Sequence, residues 1–288
     1  MNFQKIRLGA GLYFVATPIG TARDITLRAL DVLASADMIA AEDTRSLRKL
    51  MEIHGVPLAG RRIQAYHDHS GVGARNRIMD ALEQGMSVAY ASEAGMPLIA
   101  DPGYDLGRQA AEEGHLVTCA PGPSAAMMAL TLAGLPTDAF FFAGFLPNSS
   151  GARKTKIEAL REIPGTLIFY ESPKRLAACL SDLSHVLGEN RKAAICRELT
   201  KKFEEVRRAT LGDLTAEYTG KSVKGEIVLL VDRGHSQSVN ESEVDEALAK
   251  ALETHSVRDA ADLVSKMYDV PRRPIYQKAL KLGKERNG

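Results

Sequence analysis

Short apolar runs recur along the first 230 or so residues, each closed by glycine, proline or an acid, with stretches of helical spacing between them. Residues 11–16 (GLYFVA) form the first run and end in Thr17-Pro18-Ile19-Gly20. A run of this length and composition predicts a buried strand. Asp24 then opens a helical pattern with Leu27, Leu30 and Ala34 at i, i+3 and i+7, and Ile25 and Leu33 on the same apolar side. A second strand at 38–41 ends in Glu42-Asp43-Thr44-Arg45, and a helix through Leu47, Leu50 and Met51 stops at Gly55. A third strand at 63–66 is closed by His67-Asp68-His69, and a helix follows over 74–84. Strand–helix alternation of this kind predicts a mostly parallel sheet covered by helices on both faces.

Residues 88–104 (VAYASEAGMPLIADPGY) break that rhythm. Val88, Ala89, Tyr90 and Ala91 continue as a strand, and a long loop follows, punctuated by Gly95, Pro97, Pro102 and Gly103 and carrying Glu93 and Asp101. A buried strand opening into such a loop is how α/β domains build a ligand site at the carboxyl ends of their strands. A helix through Leu106 and Ala110, a strand at 116–120, the turn Pro121-Gly122-Pro123-Ser124 and a small-residue helix at 125–132 come next. The backbone N–H groups at that last helix start face whatever occupies the loop.

The pattern changes near residue 136. Residues 140–145 (FFFAGF) are a dense aromatic strand, and 146–156 (LPNSSGARKTK) read as an exposed polar loop. Strands at 166–170, 192–196 and 226–231 follow, ending or beginning at Glu171-Ser172-Pro173-Lys174-Arg175, Arg197-Glu198-Leu199-Thr200-Lys201 and Lys224-Gly225. Their hairpin-like spacing predicts a second α/β unit with a mixed sheet. A polar linker at 235–243 leads to two or three short helices, the last pair resembling a helix-turn-helix. The expected division is 1–122, 123–236 and 237–288: two α/β domains with a cleft between them, then a basic helical tail.

Composition changes this picture little. Among 288 residues 45% are hydrophobic and 25% charged, with a formal net charge of +1, so nucleic-acid contact has to come from a local patch. Residues 271–288 offer one: Arg272, Arg273, Lys278, Lys281, Lys284 and Arg286 against Glu285 give a net +5. Such tails also occur with no nucleic-acid role. Cys119, Cys179 and Cys196 lack CxxC spacing and read as buried free thiols of a reducing compartment. No apolar run reaches 18 residues, so a cytoplasmic protein without a membrane span is expected.

The chain has no GxxxxGK[ST], no GxGxxG after a strand, no HExxH and no GxSxG. What remains is a set of small-residue loops at strand ends, suited to a zwitterionic ligand with an adenine ring more than to a polyphosphate. The motifs in those loops are LYFVATPIG at 12–20, RAL and AEDTR within 28–45, and PLIADPGY at 97–104. PGPSA at 121–125, GFLP at 144–147, FYESPKRL at 169–176, RELTK at 197–201 and KGEIVLLV at 224–231 complete the set. In this order the sequence resembles the 16S rRNA cytidine 2′-O-methyltransferases, members of the tetrapyrrole-methylase-like group of S-adenosylmethionine methyltransferases. The resemblance runs from about Gly11 to Gly234 and more loosely through the tail.

That resemblance implies a cofactor, S-adenosylmethionine, folded into the interdomain cleft, a homodimer, and 16S rRNA of the 30S subunit (its decoding region) as substrate, with no metal. Carried over by position, Pro18, Ser92, Glu93, Ala94, Gly95, Asp101, Pro102, Gly122, Ser124, Ala125, Tyr170 and Leu199 would line the methyl donor. Each has an architectural alternative: Pro18 and Pro102 as turn formers, Ser124 as a helix cap. A ribose 2′-hydroxyl is a weak nucleophile, so alignment and proton removal must supply the rate. Glu42, Asp43, His67, Glu171 and Glu198 are the candidate bases. Arg45, Lys174, Arg175, Arg197 and Lys201 are the candidates for holding phosphate or countering charge. Glu198–Lys201 as a plain salt bridge and Asp43–Arg45 as a helix start stay open beside these roles.

The sequence departs from the family pattern in three loops, the basic one after GFLP being thinner here, with Asn148-Ser149-Ser150 before Arg153. Glu93 and Met96 stand where the family has Asp and Thr, and His69-Ser70-Gly71 stands where it has His-Asn-Glu. Two other readings therefore accompany the methyltransferase: a catalytically silent RNA-binding ribosome assembly factor, and a methyltransferase of the same fold with another substrate.

Overall fold

The computed structural model describes residues 2–67, 72–234, 241–268, 270 and 272–285. Asp68, His69, Ser70 and Gly71, most of the expected 235–243 linker, and Asp269, Pro271 and Arg286 of the tail lie outside the described residues.

Strands β1 (Gly11–Val15), β2 (Met38–Ala41), β3 (Ile63–Ala65), β4 (Ser87–Ala91) and β5 (Val117–Ala120) form the expected parallel sheet, in the order β3-β2-β4-β1-β5. Alternate residues of its central strands serve two separate cores. Tyr13, Val15, Ile39, Ala41, Ala89 and Ala91 pack on one face against α1 (Leu27–Ser35) and α2 (Thr44–Ile53). Leu12, Phe14, Ala40, Val88 and Tyr90 pack on the other against α3 (Val72–Glu83) and α4 (Tyr104–Glu112). Burial on both faces explains why these strands read as continuous apolar runs. Helix α1 starts later than the pattern from Asp24 suggests. Residues Ala22–Asp24 form a 3₁₀ turn, and the Thr26 hydroxyl caps the helix by accepting from the Ala29 N–H at 3.2 Å.

The second sheet runs β6 (Phe140–Phe145), β7 (Thr166–Glu171), β10 (Ile227–Val231), β8 (Lys192–Arg197), β9 (Glu205–Thr210). It is mixed as expected: β6 and β7 are parallel and the other pairs antiparallel. Helix α5 (Ala125–Ala133) lays Ala126, Ala129, Leu130 and Ala133 against Ile168, Ala194, Cys196, Val228 and Leu230 of this sheet. Strand β9 (EVRRAT) was not foreseen, because an edge strand rich in charge lacks an apolar run. Segment 146–156 corrects the expectation of an exposed loop. Leu146 is buried, and residues Ser150–Glu158 form helix α6, whose Arg153 is only 3% exposed. The Arg153 guanidinium pairs with Asp182 of α7 (Leu176–Leu187) at 2.6 and 2.7 Å, a partner too distant in sequence to be read locally. Helix α8 (Leu211–Tyr218) follows β9.

Met1–Leu160 with Gly165–Asp232 make one compact unit, which contains both sheets. Residues Arg161–Pro164 with Arg233–Gly288 make the other. In the latter, α9 (Glu241–Ala251), α10 (Val257–Tyr268) and α11 (Arg272–Glu285) close around Val244, Leu248, Ala260, Ala261, Val264, Ile275 and Ala279.

Candidate active site

Within the larger unit, a cavity of about 460 Å³ lies between the loop after β4, the start of α5 and one end of the second sheet. Glu93, Ala94, Gly95, Met96, Ile99 and Asp101 line it from the loop, and Ser124 and Ala125 from the helix start. The second sheet contributes Phe145, Tyr170 to Pro173, Cys196, Leu199 and Gly225 to Val228.

The loop is held open by its neighbours. Thr17 and Gly95 exchange two backbone hydrogen bonds of 3.0 Å, and the Thr17 hydroxyl donates to the carbonyls of Ser92 and Glu93 at 3.2 Å. The Ser92 hydroxyl, 3% exposed, donates to the Gly95 carbonyl at 2.6 Å, so Ser92 shapes the loop without lining the cavity. Glu42 supports it from β2, its carboxylate accepting from the Glu93 N–H at 3.2 Å. Leu98 and Ala100 sit at φ of 70° and 61°, a conformation L side chains rarely adopt and one that collects at ligand sites. Pro18 and Pro102 stand beside the cavity rather than on it. The Pro102 carbonyl accepts from the buried Tyr90 hydroxyl at 3.3 Å. Gly122 is a packing position, since a Cβ there would lie 2.8 Å from that of Ala16. Ser124 occupies the N-cap of α5, yet its hydroxyl makes no capping hydrogen bond.

On the second sheet, Glu171 is the candidate base that reaches the cavity. Its carboxylate is fully engaged in the wall, accepting from the Ser172 N–H at 2.7 Å and pairing with Arg175 at 3.3 Å. Arg175 also donates to the Leu146 and Pro147 carbonyls at 2.6 and 3.1 Å and to the Asn148 side chain, so it organises a loop rather than presenting a free cation. Tyr170 has its hydroxyl pushed up in pKa by burial, which outweighs a hydrogen bond with the Ala126 backbone at the start of α5. Burial also raises the Cys196 thiol, to about 11, which makes it an inert wall element.

Glu198 stands just outside, at φ 51°. Its carboxylate accepts from the Glu226 N–H at 2.9 Å and from Lys201 at 3.0 Å, and Lys201 also reaches Glu226 at 2.8 Å. The Glu226 backbone hydrogen bond, then Lys201, hold the Glu198 carboxyl below its ordinary range. Burial opposes the charge on Lys201, but the bonds to Glu226 and Glu198 prevail and raise its pKa. Arg197 pairs across the β8–β9 edge with Glu205 at 2.8 Å. The other candidates sit elsewhere. Asp43 caps α2 by accepting from the Arg45 and Ser46 N–H groups at 2.7 and 3.2 Å, which lowers its pKa. Arg45, His67 and Lys174 are exposed and do not line the cavity.

Comparison with known proteins bears on what this cavity is for. The ribosomal RNA small subunit methyltransferase I of Mesorhizobium japonicum is 46% identical to this chain over 276 residues, covering 96% of the chain and 93% of that protein. Proteins of the same name from Escherichia coli O157:H7 and Bacillus subtilis are 41% and 36% identical, each covering more than nine-tenths of both partners. The chain belongs to the ribosomal RNA small subunit methyltransferase I family. The model for Tetrapyrrole (Corrin/Porphyrin) Methylases matches residues 11–215, and that for the RsmI C-terminal HTH domain matches 238–283. The fold is that of the methyltransferase CobJ (TM-score 0.60, 17% identity, 78% of this chain and 94% of that one). It is also that of diphthine synthase (TM-score 0.59, 16% identity, 77% and 89%). A uroporphyrin-III C-methyl transferase from Thermus thermophilus, complexed with S-adenosyl homocysteine, shares it at TM-score 0.54 and 16% identity over 76% and 96% of the two chains.

The chemistry of the wall fits the donor this family uses. Glu93, Asp101, Glu171 and Glu226 line the cavity, and no lysine or arginine is among the described residues that do. Arg175 and Lys201 neutralise two of these acids from behind. A polyphosphate would be repelled here, whereas a sulfonium and an ammonium group are matched. Ile19, Leu199, Ile227 and Val228 form an apolar surface of the kind an adenine ring packs on, and the start of α5, where Ser124 makes no capping bond, suits a carboxylate. The departures Glu93 and Met96 both line the cavity: one keeps the charge and the other lengthens the apolar wall.

Sequence reasoning missed Ile19, Ile99, Phe145, Ser172, Pro173, Cys196 and residues 225–228 as lining. The signal for the last group was the sheet's direction. Because β10 is antiparallel to β7 and β8, Ile227 pairs with both Glu171 and Arg197, so the first residues of β10 lie beside the last of its neighbours.

Proposed function

We propose that this protein transfers the methyl group of S-adenosylmethionine to a ribose 2′-hydroxyl of a cytidine in 16S rRNA of the small ribosomal subunit. The observation that carries the reading is the cavity itself: four carboxylates, no basic side chain and a helix N-terminus, at the carboxyl end of β4 in a chain of this family. When bound, the donor supplies an electrophilic methyl group on a cationic sulfur. The chain's own residues do the rest. Glu93 and Asp101 counter the positive charge, Ser124 and the first N–H groups of α5 hold the amino-acid carboxylate, and Gly95 lets the backbone approach closely. The Glu198–Lys201–Glu226 cluster and the Glu171–Arg175 pair brace the second-sheet side of the cavity. Alignment of the reacting atoms then supplies most of the rate, as bringing two groups into register can. The same reading places the protein in the cytoplasm and gives it a second copy of the chain as partner. Phe140 and Phe141 on edge strand β6, 45% and 39% exposed, are the apolar surface a homodimer would cover. No helix of the described residues is long and apolar enough to cross a membrane.

The test is paired. Calorimetry measures binding of S-adenosylmethionine, and transfer of its labelled methyl group to 30S subunits measures turnover. The reading expects both; binding without transfer to subunits points to another substrate, and no binding points to a silent assembly factor.

A further inference from the structure

One aromatic side chain on the cavity wall, Phe145, owes its position to a break in strand register. Regular alternation along β6 would place Phe140, Phe142 and Gly144 on one face of the sheet and Phe141, Ala143 and Phe145 on the other. The register is broken, because Phe142 pairs with Ile168 and Gly144 with Phe169, leaving Ala143 as an extra residue. Gly144 takes φ 64° at this bulge. A bulge re-aims every side chain beyond it. Phe145 therefore pairs with Tyr170 and joins the face that carries Phe142 and Tyr170, with its ring 5.7 Å from that of Tyr170 at 67°. It lines the cavity and yet remains 58% exposed. Ile99, 41% exposed, lines the cavity from the opposite loop.

A ligand enclosed by the cavity lies against its buried apolar surface, where Ile19, Cys196, Leu199 and Val228 are each at most 8% exposed. Phe145 is at the mouth, where the second reactant has to arrive from solvent. Resting on the function proposed above, we propose that Phe145 is the platform on which the base of the acceptor nucleotide stacks, fixing the ribose at the donor. Unstacked RNA bases are commonly held on aromatic faces, and a ring that packs against Tyr170 and stays more than half exposed supplies such a surface. The acids of the cavity make no contact with a phosphate backbone favourable inside it, so a neutral base is the part of the acceptor suited to enter.

The experiment compares wild type with Phe145→Ala, Phe145→Leu and Phe145→Tyr. It measures KM and kcat on 30S subunits purified from a strain lacking the enzyme, and S-adenosylhomocysteine affinity by calorimetry. Phe145→Ala is expected to raise KM for subunits by roughly five-fold to a hundred-fold, the loss typical of a removed stacking partner. Phe145→Tyr keeps the ring and stays near wild type, Phe145→Leu behaves like the alanine variant, and the calorimetric affinity is unchanged in all three. An alanine variant with unchanged KM, rescue by leucine, or a matching fall in S-adenosylhomocysteine affinity overturns the proposal. Wild-type protein that binds the donor but does not methylate subunits overturns the underlying function, and this inference with it.

Discussion

Glu198 is kept at φ 51° by neighbours on three sides: the Glu226 backbone, the Lys201 ammonium and Gly225, where a Cβ would lie 2.5 Å from the Glu198 carboxyl carbon. Glycine at 225 is thus required by the carboxylate it faces, as well as by its own φ of 96°. The cluster has a pH signature. A carboxyl held below its ordinary range in the folded protein contributes stability that is present above that range and lost as pH falls through the depressed value. Lys201, raised, contributes stability that is full below its ordinary range and lost only as pH rises through the raised value. Glu198→Gln is therefore expected to lower the midpoint of thermal unfolding at neutral pH and to flatten its acid limb below about pH 4, the ordinary carboxylate range. A variant whose melting temperature tracks wild type across that limb contradicts the assignment. At this scale the sequence was legible where a motif named a position whose role is local: Ser124, Ala125, Tyr170 and Leu199 do line the cavity. It was less legible where one residue type serves two roles. Asp43, a candidate base by its place at a strand end, uses its carboxylate on the α2 N-cap, and Ser92 uses its hydroxyl inside the loop.

Elements follow the same division. The parallel strands could be read because burial on both faces makes them apolar throughout, and β9 could not, because half of its six residues are charged and it lies at an edge. The 146–156 segment shows the limit most clearly. Its polarity suggests solvent, but Arg153 is buried against Asp182, donates to the Pro147 and Asn148 carbonyls, and so anchors the loop that follows Phe145. Removing one member of a buried pair leaves the other uncompensated, at a cost of about 3–5 kcal/mol. Arg153→Ala should lose that much in urea unfolding, whereas Lys154→Ala, which removes an exposed partner of the same carboxylate at 3.6 Å, should lose about 1 kcal/mol or less. Equal losses for the two would show that the pair is not an anchor. The bulge in β6 belongs here too: it depends on one extra residue in pairing, which no periodicity reveals without the partner strand.

For the whole molecule, the cavity and the most basic helix fall in different compact units. The larger holds the cavity, and the smaller holds the basic helix α11. Charge counted along the sequence overstates what α11 offers to RNA. Arg272 pairs with Asp262, and Lys278 pairs with Asp245 at 2.9 Å, both within the unit. Arg273 and Lys281 form no ion pair among the described residues and are exposed. If α11 meets the phosphate backbone through these two, charge reversal at both should lower the slope of log affinity against log salt by about 1.4 to 1.8, from the release of roughly two counterions. Donor affinity should not change. An unaltered slope places the RNA contact elsewhere on the chain. The central claim, that the cavity serves ribose methylation of small-subunit rRNA, is tested most directly by mass spectrometry of 16S rRNA from a strain lacking this protein, with the gene restored in a parallel culture. The account predicts one cytidine that lacks its 2′-O-methyl group in the deletion strain and regains it on restoration; a full set of ribose methyl groups in the deletion strain would contradict it.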